Sequence, residues 1–167
     1  VHPFGKGINP ITIYFDYNNI SRIYTAEDGY FCGLSQLETL SCSNNAIELL
    51  PDLFTARSVY TAISVDFSSN KITGLENGDA WRGVNTETLN LANNRLEELP
   101  ARLMGSGSYI NILMLSANGI RKIEPGALMG AGSEGLTTID LSFNRLKEIP
   151  EDDFSNSNIP YLYGIDL

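Results

Sequence analysis

His2 is the only imidazole in the chain, and it lies in an irregular stretch, Val1 to Pro10, that also holds two glycines and two prolines. A histidine-dependent triad or a histidine-rich metal site therefore has nothing to converge on. Carboxylates are spread along the chain. Their densest run, Glu151-Asp152-Asp153, directly follows Pro150 and reads as a solvated face or the N-terminus of a helix. No glycine loop leads into a lysine to cradle phosphate, and no cysteine pair has zinc spacing. Calcium held by clustered Asp and Asn is the metal chemistry left open. Neither a catalytic residue, nor a cofactor site, nor a metal site is assigned, and the chain reads as non-enzymatic.

The side chain whose spacing does carry chemistry is asparagine. Asn18, Asn45, Asn70, Asn94, Asn118 and Asn144 are separated by 27, 25, 24, 24 and 26 residues. An amide side chain donates and accepts at once, so one copy per repeat can bond backbone groups that neither helix nor sheet pairs. Each asparagine sits in the same apolar frame. Leu89, Leu91, Leu96 and Leu99 surround Asn94; Leu37, Leu40, Cys42, Ile47 and Leu50 surround Asn45; Leu136, Ile139, Leu141, Leu146 and Ile149 surround Asn144. Leu162, Ile165 and Leu167 begin a seventh copy. In each strand two apolar residues flank one outward position, as Leu89 and Leu91 flank Asn90, following the two-residue strand period.

The pattern L-x-x-L-x-L-x-x-N-x-L resembles the leucine-rich-repeat family, from about Ile11 to Leu167, and its period falls in that family's range. The resemblance implies an α/β solenoid: a right-handed superhelix with a concave parallel β-sheet and short irregular or 3₁₀ convex segments. Stacked asparagines are expected to form a structural ladder along it. Residues 1–167 read as a single leucine-rich-repeat domain of about six and a half repeats. Because Ile165-Asp166-Leu167 ends in mid-strand without a polar cap, a fragment of a longer array is expected. Pro51, Pro100, Pro125 and Pro150 mark where the chain turns back. Phe54, Leu128 and Phe154 are expected to fill the core from the convex side, and Trp81 reads as a core plug in preference to a partner anchor.

A formal charge of −9 argues against a nucleic-acid grip, which needs clustered Lys and Arg. No apolar run approaches a membrane span, so direct membrane insertion is not expected. Cys42 takes an inward strand position and behaves as a small hydrophobe; a bond to Cys32 would have to meet narrow geometric limits. The two cysteines are too few for the four-cysteine caps of many animal extracellular members of the family. Asn19-Ile20-Ser21 is a glycosylation tripeptide.

A binding function would be written on the concave sheet. The residue between the paired apolar sites is Tyr14, Ser41, Asp66, Asn90, Met114, Asp140 and Asp166 in successive copies, a polar and acidic column. Asp16 and Tyr17 stand beside one end, Ile112, Ser116 and Phe143 towards the other. Ile112 and Met114 are expected as exposed apolar hot spots, with Tyr14 and Phe143 as aromatic anchors. The function read from this is a protein–protein interaction module binding a protein or peptide. The alternative is a carbohydrate or cell-wall binding module using Tyr14, Tyr17 and the acidic column. The Asn, Thr and Ser content and acidic balance point to a secreted or cell-surface setting.

Overall fold

The apolar alternation before each asparagine becomes one strand per repeat. The computed structural model describes residues 10–23, 36–50, 62–75, 85–101, 103, 109–128, 135–154 and 159–167. Its strands are β1 (Thr12–Tyr14), β2 (Thr39–Ser41), β3 (Leu49–Leu50), β4 (Ala62–Asp66), β5 (Gly74–Leu75), β6 (Asn85–Asn90), β7 (Glu98–Leu99), β8 (Tyr109–Met114), β9 (Lys122–Ile123), β10 (Thr138–Asp140) and β11 (Gly164–Asp166). A seven-stranded sheet runs in the order β1-β2-β4-β6-β8-β10-β11. All its neighbours are parallel and one repeat apart, so each return segment is the crossover that parallel pairing demands. Beyond the asparagines, β3 pairs with β5 and β7 with β9, also in parallel. A 3₁₀ turn spans Glu151–Phe154 on the return side.

Apolar residues three apart, such as Leu37 and Leu40 or Leu136 and Ile139, are all buried. A plain strand would send them to opposite faces. The backbone resolves this with a bulge. The amides of Glu38 and Thr39 both donate to the Ile11 carbonyl, at 2.7 and 3.1 Å. Ile63 and Ser64 share the Glu38 carbonyl in the same way, and Tyr163 and Gly164 share that of Thr137. The extra residue restores the inward alternation. It also forms an exposed crest that includes Ile11, Glu38, Ile63, Glu87 and Tyr163.

The core is a stack of columns. Ile13, Leu40, Val65, Leu89, Leu113 and Ile139 form one; Cys42, Phe67, Leu91, Leu115 and Leu141 form the next; Ile47, Ile72, Leu96 and Ile120 lie past the turn. Each such side chain contributes roughly 1.5–3 kcal/mol of burial. Leu128 is buried on the convex side and Phe154 packs partly against the core, whereas Phe54, Trp81, His2 and Cys32 lie outside the described residues. Cys42 is a buried free thiol, held protonated by burial and by the charges of Asp16 and Asp66, which push its pKa up to about 12.

The turn between strand and return segment is closed by asparagine. Asn94 Nδ2 donates to the Phe67 carbonyl of the preceding repeat at 3.0 Å and to Leu91 and Ala92 in its own. Its Oδ1 accepts from the Ile72 amide, again one repeat back, at 2.9 Å. Asn45 joins Phe15 and Ile20 in this way, Asn70 joins Cys42 and Ile47, Asn118 joins Leu91 and Leu96, and Asn144 joins Leu115 and Ile120. Among the described residues Asn18 bonds the Phe15 and Asp16 carbonyls of its own repeat. The residue before each of the six asparagines has positive φ, between 52° and 57°: Tyr17, Asn44, Ser69, Asn93, Ala117 and Phe143.

In the acidic run after Pro150, Glu151 and Asp152 are exposed at the start of the 3₁₀ turn, as expected, but Asp153 departs from a solvated face. Asp153 is fully buried and accepts the Gly126 and Leu128 amides of the preceding repeat at 3.0 and 3.4 Å. Burial holds its carboxyl above the ordinary value, against the pull of those amides. The physical reason is that Gly126, at φ 82°, turns a row of N–H groups towards the next repeat, and a short carboxylate fits them.

Two outcomes follow. Asn94→Leu strips the partner from the buried Ile72 amide and one of two donors from the Phe67 carbonyl, which keeps Asn70, so it should lower stability by about 2 kcal/mol. Asn18→Leu, which breaks bonds within one exposed turn, should cost less than half as much; urea denaturation midpoints compare the two, and equal losses would sink the ladder argument. In a Cys32→Ser background, the Cys42 thiol should react with a disulfide reagent only as the chain unfolds, and fast labelling of the native state would contradict its burial.

Candidate interaction face

Strand register places Tyr14, Ser41, Asp66, Asn90, Met114, Asp140 and Asp166 in a single row across the seven-stranded sheet. Next to it runs a row of Thr12, Thr39, Ser64, Thr88, Ile112, Thr138 and Gly164. The members of the first row differ in exposure. Tyr14 is 68% exposed, but Ser41 is buried, and its hydroxyl donates to Asp16 Oδ1 at 2.5 Å. The Ser43 amide donates to the same oxygen at 2.7 Å, so Ser41 is a support for Asp16 and not a contact surface.

The expectation of an exposed Ile112–Met114 pair is corrected by the structure, in which both are half-buried. They stand on β8, a central strand, where Thr88 and Thr138 flank Ile112 and Asn90 and Asp140 flank Met114. Neighbours on both sides cover a side chain that the sequence presents as outward. The aromatic exposure lies elsewhere. Tyr17 and Phe143, the two aromatics among the residues at positive φ, are 82% and 85% exposed. Tyr163 on the bulge crest is 83% exposed, and Ile11 and Ile63 on the same crest are also open. The sequence reading passed over Tyr163, Ile11 and Ile63; the signal was their place in the two-residue gap of L-x-x-L.

Carboxylates on this face are held by short local bonds. Asp66 accepts from the Ser68 amide at 2.7 Å and from Asn90 Nδ2 at 3.2 Å. Asp140 accepts from the Ser142 amide and hydroxyl at 2.9 and 2.6 Å, and Ser142 and Ser116 occupy the row beyond it. Burial alone would raise the Asp16 and Asp140 carboxyls, but hydrogen bonds from Ser41 and Ser43, and from Ser142 and Ser116, outweigh it and lower both. Among the described residues the outward face of the seven-stranded sheet, with its bulge crest and strand ends, carries six carboxylates, Asp16, Glu38, Asp66, Glu87, Asp140 and Asp166, and neither Lys nor Arg. Arg22, Lys71, Arg95, Arg121, Lys122, Arg145 and Lys147 all follow an asparagine, on the other side of the turn. There Lys122 meets Glu124 at 2.5 Å.

No described group of three His, Cys, Asp or Glu side chains gathers as a metal-binding cluster, and no described helix is long and apolar enough to cross a membrane.

The pKa directions fix a sign. A carboxyl lowered in the folded state contributes stability that is present above its unfolded value and is lost as pH falls through the folded one. Asp140→Asn keeps an acceptor for Ser142 but no longer titrates. It should therefore flatten the decline in thermal midpoint as pH drops below 3.8, the ordinary value of the carboxyl. A variant with the parent's acid slope would show that Asp140 is not held low.

The family model described as Leucine Rich Repeat matches residues 36–56, 85–106 and 135–157. Tsukushi of Gallus gallus is 28% identical over 182 residues, covering 94% of this chain and 47% of Tsukushi. Leucine-rich repeats and immunoglobulin-like domains protein 1 of Homo sapiens is 31% identical over 151 residues, covering 90% of this chain and 13% of that protein. A solved leucine-rich repeat protein from Bacteroides eggerthii superposes with a TM-score of 0.82 at 32% identity, over 94% of this chain and 27% of the bacterial one. The chain thus spans less than half the length of each of these proteins. One strand per repeat, one asparagine per turn and these matches agree, and the chain belongs to the leucine-rich-repeat family.

Proposed function

We propose that the outward, concave face of the seven-stranded sheet binds a protein or peptide, and that the chain acts as a non-enzymatic interaction module of a secreted or cell-surface protein. One observation carries this reading: Tyr17 and Phe143 occupy left-handed turn positions and remain more than four-fifths exposed. At the equivalent place Asn44 and Asn93 adopt the same backbone at low cost, because asparagine tolerates positive φ and aromatics do not. An aromatic ring there gains little burial to offset the strain. Contact with a partner supplies the missing stabilisation, since desolvated aromatics dominate interface energies.

Phe143 and Tyr163 serve as anchors at one end of the face, Tyr14 and Tyr17 at the other, and half-buried Ile112 and Met114 form an apolar floor between them. The secreted or surface setting draws on the Asn, Ser and Thr content and on the human relative, whose name joins leucine-rich repeats to immunoglobulin-like domains. A second reading, carbohydrate or cell-wall binding, draws on exposed Tyr14 and Tyr17, which flank Asp16 in the sequence, and on the carboxylate fixed there by Ser41 and Ser43, for a sugar to stack and donate.

Strain at Phe143 couples stability to binding. Phe143→Asn should raise stability by up to about 1 kcal/mol through relief of the backbone. The same change should weaken capture of a protein partner from a cell extract by the immobilised chain. A variant that is less stable and binds as well as the parent would remove the face from consideration.

A further inference from the structure

We infer that the partner of this face is a cationic polypeptide in extended form, lying across the strands with Lys or Arg at positions i and i+4 and an apolar residue between them. The inference rests on the reading of the outward face as a binding surface and adds the chemistry of what it binds. Charge segregation is its basis. The six described carboxylates of the face have no described Lys or Arg among them, while seven basic residues stand beyond the turn. Such a one-signed face sets up a field that attracts cations and repels a second copy of itself.

Two details fit this charge to a cation. Asp140 and Asp166 are direct partners across neighbouring strands, an arrangement of like charges that destabilises a sheet until a cation sits between them. Asp66 is locked by the Ser68 amide and Asn90, and Asp140 by the amide and hydroxyl of Ser142, yet Asp66 uses two of the roughly four acceptor sites of a carboxylate. The remaining sites suit the ammonium or guanidinium of a partner, whose bonds to a carboxylate are among the stronger ones.

Spacing selects the extended chain. From β4 to β10 is three strand steps at about 4.8 Å, so Asp66 and Asp140 stand roughly 14 Å apart along the row. An extended peptide rises about 3.3 Å per residue and turns every second side chain the same way, so residues i and i+4 reach about 13 Å and face the sheet together. Residue i+2 then lies over the Asn90–Met114 stretch, where the side chains of Met114 and Ile112 offer apolar contact. Exposed Phe143 and Tyr163 add ring faces on which an Arg plane can stack.

A random peptide library, with peptides long enough to cross four strands, tests this when selected on the immobilised chain. Enriched sequences should place basic residues four apart around an apolar one. Synthetic copies should bind about tenfold more weakly to Asp66→Asn/Asp140→Asn, and their affinity for the unaltered chain should fall with added salt. The salt titration on the parent chain stands even where the double variant folds poorly, which circular dichroism reports. Neutral or acidic peptides that bind the parent and are lost on Phe143→Asn would overturn the cationic partner and leave the binding face intact. Peptides indifferent to every substitution on the face, no enrichment at all, or binding of a neutral polysaccharide in their place would overturn both.

Discussion

The strand of each repeat must end in a turn that stays inside the molecule, and the backbone groups of that turn have no helix or sheet to pair with. Everything else in the architecture depends on how they are satisfied. The asparagine amide is the right length to reach a carbonyl and an amide of the preceding repeat while also closing its own turn. Aspartate would lack the donor, and a longer amide would overshoot. Once the turn is closed in this way the apolar columns fall into register, and strands of successive repeats have no choice but to lie in parallel.

That arrangement separates stability from recognition. Core columns and asparagines carry the fold, and the outward rows are left free to hold residues that a fold alone would not select. Aromatics in left-handed turns, a carboxylate beside a carboxylate, and a crest of open Ile and Tyr side chains are each locally unfavourable. They are tolerated because Asn, Ser and Leu one residue away hold the backbone. The face accumulates cost in the way that interaction surfaces do, and the core absorbs it.

Much of this was legible in the sequence, because the asparagine frame repeats and both its apolar periods and its single polar site are written six times. The outward row of Tyr14, Ser41, Asp66, Asn90, Met114, Asp140 and Asp166 also follows from the period of a strand. The bulge was not legible. L-x-x-L breaks a two-residue period, and only shared hydrogen bonds such as those on the Ile11 carbonyl reveal how both apolar residues turn inward. Exposure misled for Ile112 and Met114, since sequence says which face a residue takes but not how closely its neighbours in space crowd it. Asp153 was hidden for a related reason. Its partners at Gly126 and Leu128 are a full repeat away in the chain, so its own acidic neighbours spoke louder.

From Asn45 to Asn144 the ladder points one way: the asparagine of each repeat reaches back to the repeat before it. A turn is thus finished not by its own sequence but by the arrival of the next copy. For a chain made from its N-terminus, this gives assembly a fixed lag. The newest turn, its carbonyl held by its own asparagine, always waits with an amide open to water until the following repeat emerges and latches it, so order travels along the solenoid one repeat behind synthesis.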